Sequence, residues 1–124
     1  MDKQPEVSSN CVVNFSELFQ RADKDRELLQ ELLGIFKKDF PRYYTSLKEA
    51  VVRNDVKQVE FIAHTLRGML SNMAATRAAA LAGRLESTAR GGEQSGLTEG
   101  FALFEKEVSG LMPELETYLE EARR

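Results

Sequence analysis

The chain has 124 residues, of which 42% are hydrophobic and 30% charged, and this is the composition of one globular domain. Its formal net charge of −3 argues against a nucleic-acid partner, because binding to phosphate backbones usually needs a basic face. No apolar run reaches the length of a membrane span, and residues 1–10 carry no apolar signal region. One cysteine and one histidine exclude an internal disulfide and a His/Cys zinc site. We therefore expect a cytoplasmic protein without membrane contact.

The first half of the chain predicts a polar lead and two helices. Residues 1–11 are polar, and we expect a disordered lead or former linker, with the domain spanning 12–124. A short helix follows, because Asn14 and the glutamate three residues later have the spacing of a capping box. Asp25 is the predicted N-cap of a long helix that ends at a turn near residue 54. Its apolar stripe keeps its phase across Pro41, so we expect one kinked helix rather than two.

The second half of the chain predicts two further helical stretches. The pattern alone gives one helix over 55–90, although a compact domain needs a break near 73–76 that few local signals mark. Glycines and polar residues at 91–96 predict a loop. The last stretch has apolar residues at alternating spacings of four and three, and we expect Pro113 to bend this helix.

The fold class follows from these helical periods. No alternating pattern typical of β-strands is visible, and the sequence contains no internal repeat. Four amphipathic helices after a short leading helix predict an all-α bundle. The bundle should be antiparallel, because the connections between its helices are short.

The single histidine, His64, is predicted to point away from the core. On a helical wheel, the core-facing side of its helix consists of Val59, Ile62, Ala63, Leu66, Met69, Leu70 and Met73. His64 lies nearly opposite to this stripe. Its own face holds Lys57, Glu60, Phe61, Arg67, Gly68, Ser71 and Asn72.

Three neighbours of His64 distinguish it from an ordinary exposed histidine, which is the alternative interpretation. Gly68, one turn later, costs about 1 kcal/mol of helix stability against alanine and opens space beside the imidazole. Arg67 is placed to reach an anion attached to His64. Phe61 is the large apolar residue of this outward face, which suits docking of a partner.

The chemistry open to such a histidine is limited. A general base needs a nearby nucleophile and a pocket, and an exposed helix face supplies neither. An imidazole that is itself the nucleophile fits better, because it is largely neutral at pH 7 and keeps a free lone pair. We expect His64 to accept a phosphoryl group from a partner that supplies the metal and the pocket.

The segments "AHTLRG", "SNMAA" and "LAGRLE" make the chain resemble the histidine-containing phosphotransfer (HPt) domains of bacterial phosphorelays. The residues that match the family pattern are Ala63, His64, Leu66, Gly68, Asn72, Leu85 and Glu86. The resemblance implies an elongated four-helix bundle. It also implies that His64 takes a phosphoryl group from a receiver-domain aspartate, on its ring nitrogen farther from the backbone, and passes it to another receiver.

The resemblance also implies roles for the neighbours of His64. Arg67 and Lys57 would support the phosphoryl charge, while Phe61, Gly68 and Ser71 would line the face that docks the receiver; for Lys57 and Ser71 an ordinary solvated position is at least as good an interpretation. The domain itself would need no cofactor, because Mg²⁺ is bound by the receiver. The expected partners are receiver domains and a sensor or hybrid histidine kinase, and we expect a monomer.

Three positions depart from the family pattern. Ala78 replaces a usual leucine, so we expect thinner core packing near the tip of the bundle. Arg67 replaces the commoner lysine, which keeps the charge and adds a fork of donors. Ala74 stands where a glycine usually ends the active-site helix, so the resemblance places a helix boundary near residue 74.

Two alternative functions remain open from the sequence. The domain could instead be the phosphoryl-accepting domain of a chemotaxis-type kinase, which an ATP-binding domain phosphorylates. It could also be a helical interaction module that carries no phosphate, although the presence of both His64 and Arg67 argues against this alternative.

Overall fold

The structure, a computed structural model, describes residues 12–122 of the chain. Six α-helices cover most of this range: α1 (Phe15–Arg21), α2 (Arg26–Val52), α3 (Val56–Asn72), α4 (Thr76–Arg90), α5 (Leu97–Val108) and α6 (Leu111–Ala122). The described range contains no β-strand, which confirms the all-α prediction. The predicted disordered lead at 1–11 lies outside the described residues.

Side-chain caps start the first three helices. Asn14, Asp25 and Asp55 each accept a hydrogen bond from the backbone N–H three residues later, at 3.1, 3.1 and 3.2 Å respectively. Such caps satisfy one of the N–H groups that a helix start leaves unpaired. The turn before α3 contains Asn54 at a φ of +56°, a left-handed conformation that asparagine tolerates.

Four helical positions form the bundle: α2, α3, α4 and the consecutive pair α5 and α6. The helix α2 has 27 residues, about 40 Å, and runs through Pro41 without interruption. This confirms one helix rather than two, while the kink at Pro41 stays a prediction. The helices α3 and α4 make the most extensive contact in the fold. Fully buried alanines occur on both helices, Ala63 on α3 and Ala78 and Ala82 on α4, and small side chains allow two helices to approach closely.

The prediction of one last helix bent at Pro113 was wrong. The helix α5 ends at Val108, residues 109–110 form a turn, and α6 begins at Leu111. Pro113 therefore lies in the first turn of α6, where its missing N–H removes no intrahelical hydrogen bond. The apolar spacing continues across this break because both helices face the same core, with Phe104 and Leu115 fully buried.

The boundary between α3 and α4 lies where the resemblance placed it. The helix α3 ends at Asn72, and Ala74 adopts a φ of +56° in the turn before α4. Alanine in this left-handed conformation costs roughly 1–2 kcal/mol relative to a right-handed one, which glycine would avoid. The turn thus keeps the conformation that a glycine would favour, although the residue is alanine.

The short helix α1 is attached to this same turn. The Asn14 backbone N–H donates to the Ala74 carbonyl oxygen at 3.0 Å. At the other end of α1, the Arg21 guanidinium donates to the Ser71 carbonyl oxygen at 2.8 Å. These two bonds join the N-terminal segment to the end of α3.

Candidate functional site

His64 lies in the middle of α3 and points into solvent, as the helical wheel predicted. Its side chain is 62% exposed. On the opposite side of the helix, Val59, Ala63 and Leu66 are fully buried against the core. The packed side fixes the helix backbone, so the exposed imidazole is held on a rigid base.

The carboxylate of Glu86 contacts the imidazole from α4. Glu86 Oε2 lies 3.0 Å from His64 Nδ1, and the Glu86 side chain is only 6% exposed. An ionised carboxylate only accepts hydrogen bonds, so Nδ1 carries the hydrogen and the lone pair is on Nε2. Glu86 matches the family pattern, but no role was predicted for it, because 22 residues separate it from His64 in the chain.

Arg67 is held beside the imidazole by the same carboxylate. Its Nε lies 3.3 Å from Glu86 Oε1, while its Nη2 lies 3.3 Å from His64 Nδ1. Because Nδ1 donates to Glu86, it has no lone pair to accept a hydrogen from Arg67. The Arg67 guanidinium is therefore a neighbouring positive charge paired with Glu86, rather than a hydrogen-bond donor to the ring.

Arg90 and Glu60 complete the group, which we call the His64 cluster: His64, Glu60, Arg67, Glu86 and Arg90. Arg90 Nη2 donates to Glu86 Oε2 at 2.6 Å, and Arg90 Nε donates to Glu60 Oε2 at 3.0 Å. The hydrogen bond to Glu60, followed by the charges of Glu86 and Glu60, raises the pKa of Arg90 above its ordinary value. Two guanidinium groups thus balance two carboxylates around the imidazole.

Two glycines near the cluster have different surroundings. A Cβ at Gly83 of α4 would lie 3.1 Å from Arg67 Cδ, so the absence of a side chain makes room for the arginine stem. A Cβ at Gly68 of α3 would meet nothing within 4 Å. The fold of this chain therefore does not require glycine at position 68, and the open surface there is free for another molecule to approach.

The remaining predicted site residues lie on the surface of α3. Phe61 is 65% exposed, and Ser71 and Lys57 are also exposed. Lys57 precedes His64 by seven residues, which is about 10 Å along the helix axis. None of these three side chains takes part in the hydrogen bonds and ion pairs of the His64 cluster. Their proposed roles in docking and charge support stay predictions.

The surroundings of His64 suit a reactive nucleophile that a partner approaches. Within residues 12–122, no group of three or more histidine, cysteine, aspartate or glutamate side chains is arranged to hold a metal ion. In the same part of the chain, no helix has the length and apolarity needed to cross a membrane. The cluster instead offers one exposed imidazole nitrogen with a lone pair, next to positive charge.

Comparison with known proteins identifies the family of this chain. The family model of the Hpt domain matches residues 31–124. The crystal structure of histidine-containing phosphotransfer protein B (HptB) from Pseudomonas aeruginosa PAO1 is similar with a TM-score of 0.81 and 23% sequence identity, covering 89% of this chain and 96% of that chain. Among the curated proteins, none matches this sequence. The chain belongs to the Hpt domain family and is a histidine phosphotransfer intermediate of two-component signalling.

Proposed function

We propose that His64 is the residue that carries the phosphoryl group, accepting it on Nε2 from a receiver-domain aspartate and passing it to a second receiver. The hydrogen bond from Nδ1 to Glu86 supports this assignment most directly, because it leaves the Nε2 lone pair free on the solvent side. Receiver domains and kinases are the partners of the Hpt family in phosphorelays.

The transfer needs no proton to be removed from the histidine. The Nε2 lone pair attacks the phosphorus atom of the aspartyl phosphate, a P–N bond forms, and the P–O bond to the aspartate breaks with its electron pair. The aspartate leaves as a carboxylate. The ring gains positive charge that reaches the Nδ1–H group, and Glu86 stabilises this charge through the existing 3.0 Å hydrogen bond.

The other side chains of this face have supporting parts in the proposal. Arg67 turns toward the phosphoryl oxygens, and Lys57 adds positive charge two turns away. Phe61, Gly68 and Ser71 form the surface on which the receiver docks, and the exposed aromatic ring supplies apolar contact area there. The receiver contributes the Mg²⁺ and the aspartate pocket, and this chain acts as a carrier, monomeric and cytoplasmic.

The assignment of the acceptor is tested with His64→Gln. A receiver domain charged with radiolabelled acetyl phosphate is mixed with either protein, and acid-labile, alkali-stable label on this chain is measured. We expect label on the wild type and none on His64→Gln, with the same circular dichroism and Tm for both. Label on the glutamine variant would show that another residue is the acceptor. Labelling of the wild type by a kinase core with ATP, but by no receiver, would favour the chemotaxis-type alternative.

A further inference from the structure

One oxygen atom of the His64 cluster is shared between two donors. Glu86 Oε2 accepts from His64 Nδ1 at 3.0 Å and from Arg90 Nη2 at 2.6 Å. The shorter bond is the charge-assisted one, because both of its partners are ionised. Arg90 therefore helps to fix the orientation of the carboxylate that receives the imidazole hydrogen.

Arg90 is itself fixed by Glu60, which lies one turn before His64 on α3. The Nε bond to Glu60 and the Nη2 bond to Glu86 use two donors of one planar guanidinium. The Arg90 side chain is 60% exposed. Because a single ion pair on the surface is weak and easily lost, the second bond helps to hold the guanidinium in one position. The result is a bridge between α3 and α4 beside the imidazole.

The charge balance changes when a phosphoryl group arrives. A phosphoryl group brings about one and a half to two negative charges, which attract Arg67 away from Glu86. Glu86 is buried, and a buried carboxylate left with no cation beside it is costly. Arg90 stays paired with Glu86 and therefore permits Arg67 to leave.

We propose that Arg90, anchored by Glu60, is a positioning residue that balances the charge of Glu86, so that Glu86 holds the imidazole in its orientation and Arg67 is free to bind the phosphoryl group. This inference rests on the proposed function of His64. It assigns a role to a residue that contacts neither the phosphoryl group nor the imidazole. The charged groups that face the imidazole are then Glu86 and Arg90 from α4, and Glu60 and Arg67 from α3.

The experiment compares Arg90→Ala and Arg90→Lys with Arg84→Ala. Arg84 is a matched control because it is an exposed arginine of the same helix outside the cluster, and its loss changes the net charge equally. Because His64 is the one histidine of the chain, its NMR titration is unambiguous. The rate of phosphoryl transfer from a labelled receiver domain is measured on the same proteins.

We expect the imidazole titration midpoint in Arg90→Ala to lie above that of the wild type, since Glu86 is then less neutralised. Transfer at pH 7 should fall about two- to fivefold. In Arg90→Lys the titration midpoint should return most of the way to the wild-type value, because lysine keeps the positive charge. The transfer rate should recover only in part, because lysine lacks the planar pair of donors that bonds Glu60 and Glu86 together. Arg84→Ala should behave as the wild type.

Two results would overturn the inference. One is a midpoint and a transfer rate in Arg90→Ala that equal those of the wild type. The other is an equal change in Arg84→Ala, which would indicate a general effect of net charge. The titration is made without phosphate, so a wild-type protein that takes no label would refute the function of His64, while the midpoints would still decide whether Arg90 balances Glu86.

Discussion

The two faces of α3 are built by different interactions. The inward face packs Val59, Ala63 and Leu66 into the core, where their burial drives folding. The outward face holds His64 in solvent, and charged side chains from α4 orient it. The difference shows how one helix can present a reactive group without weakening the core, because each face depends on different partners. Changes on the two faces should therefore have separable effects on stability and on transfer.

The largest expected effect is on the inward face. Leu66→Ala removes a fully buried side chain and should lower the free energy of unfolding by about 2–5 kcal/mol. Phosphoryl uptake per folded molecule should stay at the wild-type level, since Leu66 lies on the opposite side of α3 from His64. Chemical denaturation followed by circular dichroism measures the free energy of unfolding. Phosphoryl uptake is measured by labelling at denaturant concentrations below the unfolding transition. Loss of uptake in the fully folded variant would show that the two faces are coupled.

The next effect concerns the carboxylate that links the outward face to α4. Glu86→Gln keeps the size of the side chain but loses the charge that stabilises the developing imidazolium. Transfer should fall roughly ten- to a hundredfold, the range seen when an orienting group behind a metal-bound histidine is lost. Glu107→Gln is the control, since Glu107 is a half-buried carboxylate paired with Arg77 away from the cluster. Equal losses in both variants would contradict a specific role for Glu86.

The smallest expected effects are those of alanine substitutions at two helical glycines, which distinguish a change in stability from a change in docking. A Cβ at Gly34 of α2 or at Gly68 of α3 would meet nothing within 4 Å. Both alanine variants should therefore raise the free energy of unfolding by about 1 kcal/mol. We expect only Gly68→Ala to slow transfer from a receiver, by about fivefold or more, because its methyl group stands on the docking face. Transfer at the wild-type rate by both variants would contradict the placement of Gly68 on the docking face.

The features that the sequence predicted well are those that depend on neighbours in the chain. The caps at Asn14 and Asp25 need only an acceptor three residues before a free N–H group, and the structure confirms both. The exposure of His64 followed from the 3.6-residue period of α3. The break between α5 and α6 was missed because an apolar stripe that faces one core carries the same phase through a short turn.

The charged partners of His64 were not predictable from the spacing of residues. Glu86 reaches the imidazole and Arg90 reaches Glu60 only because α4 packs antiparallel against α3, which no local pattern encodes. Glu60 was predicted to lie on the face of His64, but its bond to Arg90 was not predicted. The resemblance to the family placed the boundary near Ala74, where the residue type itself gave little sign of a turn.

The attachment of α1 has a consequence for local unfolding. Because Asn14 and Arg21 bond to carbonyl oxygens at the end of α3, we expect release of α1 to make that end fray more easily. The backbone amides around Ala74 should therefore exchange their hydrogens at a rate set by α1. Ser71, whose carbonyl accepts from Arg21, is also part of the proposed docking face, two turns from His64. We therefore expect a ligand that binds α1 to affect the surface where a receiver would dock.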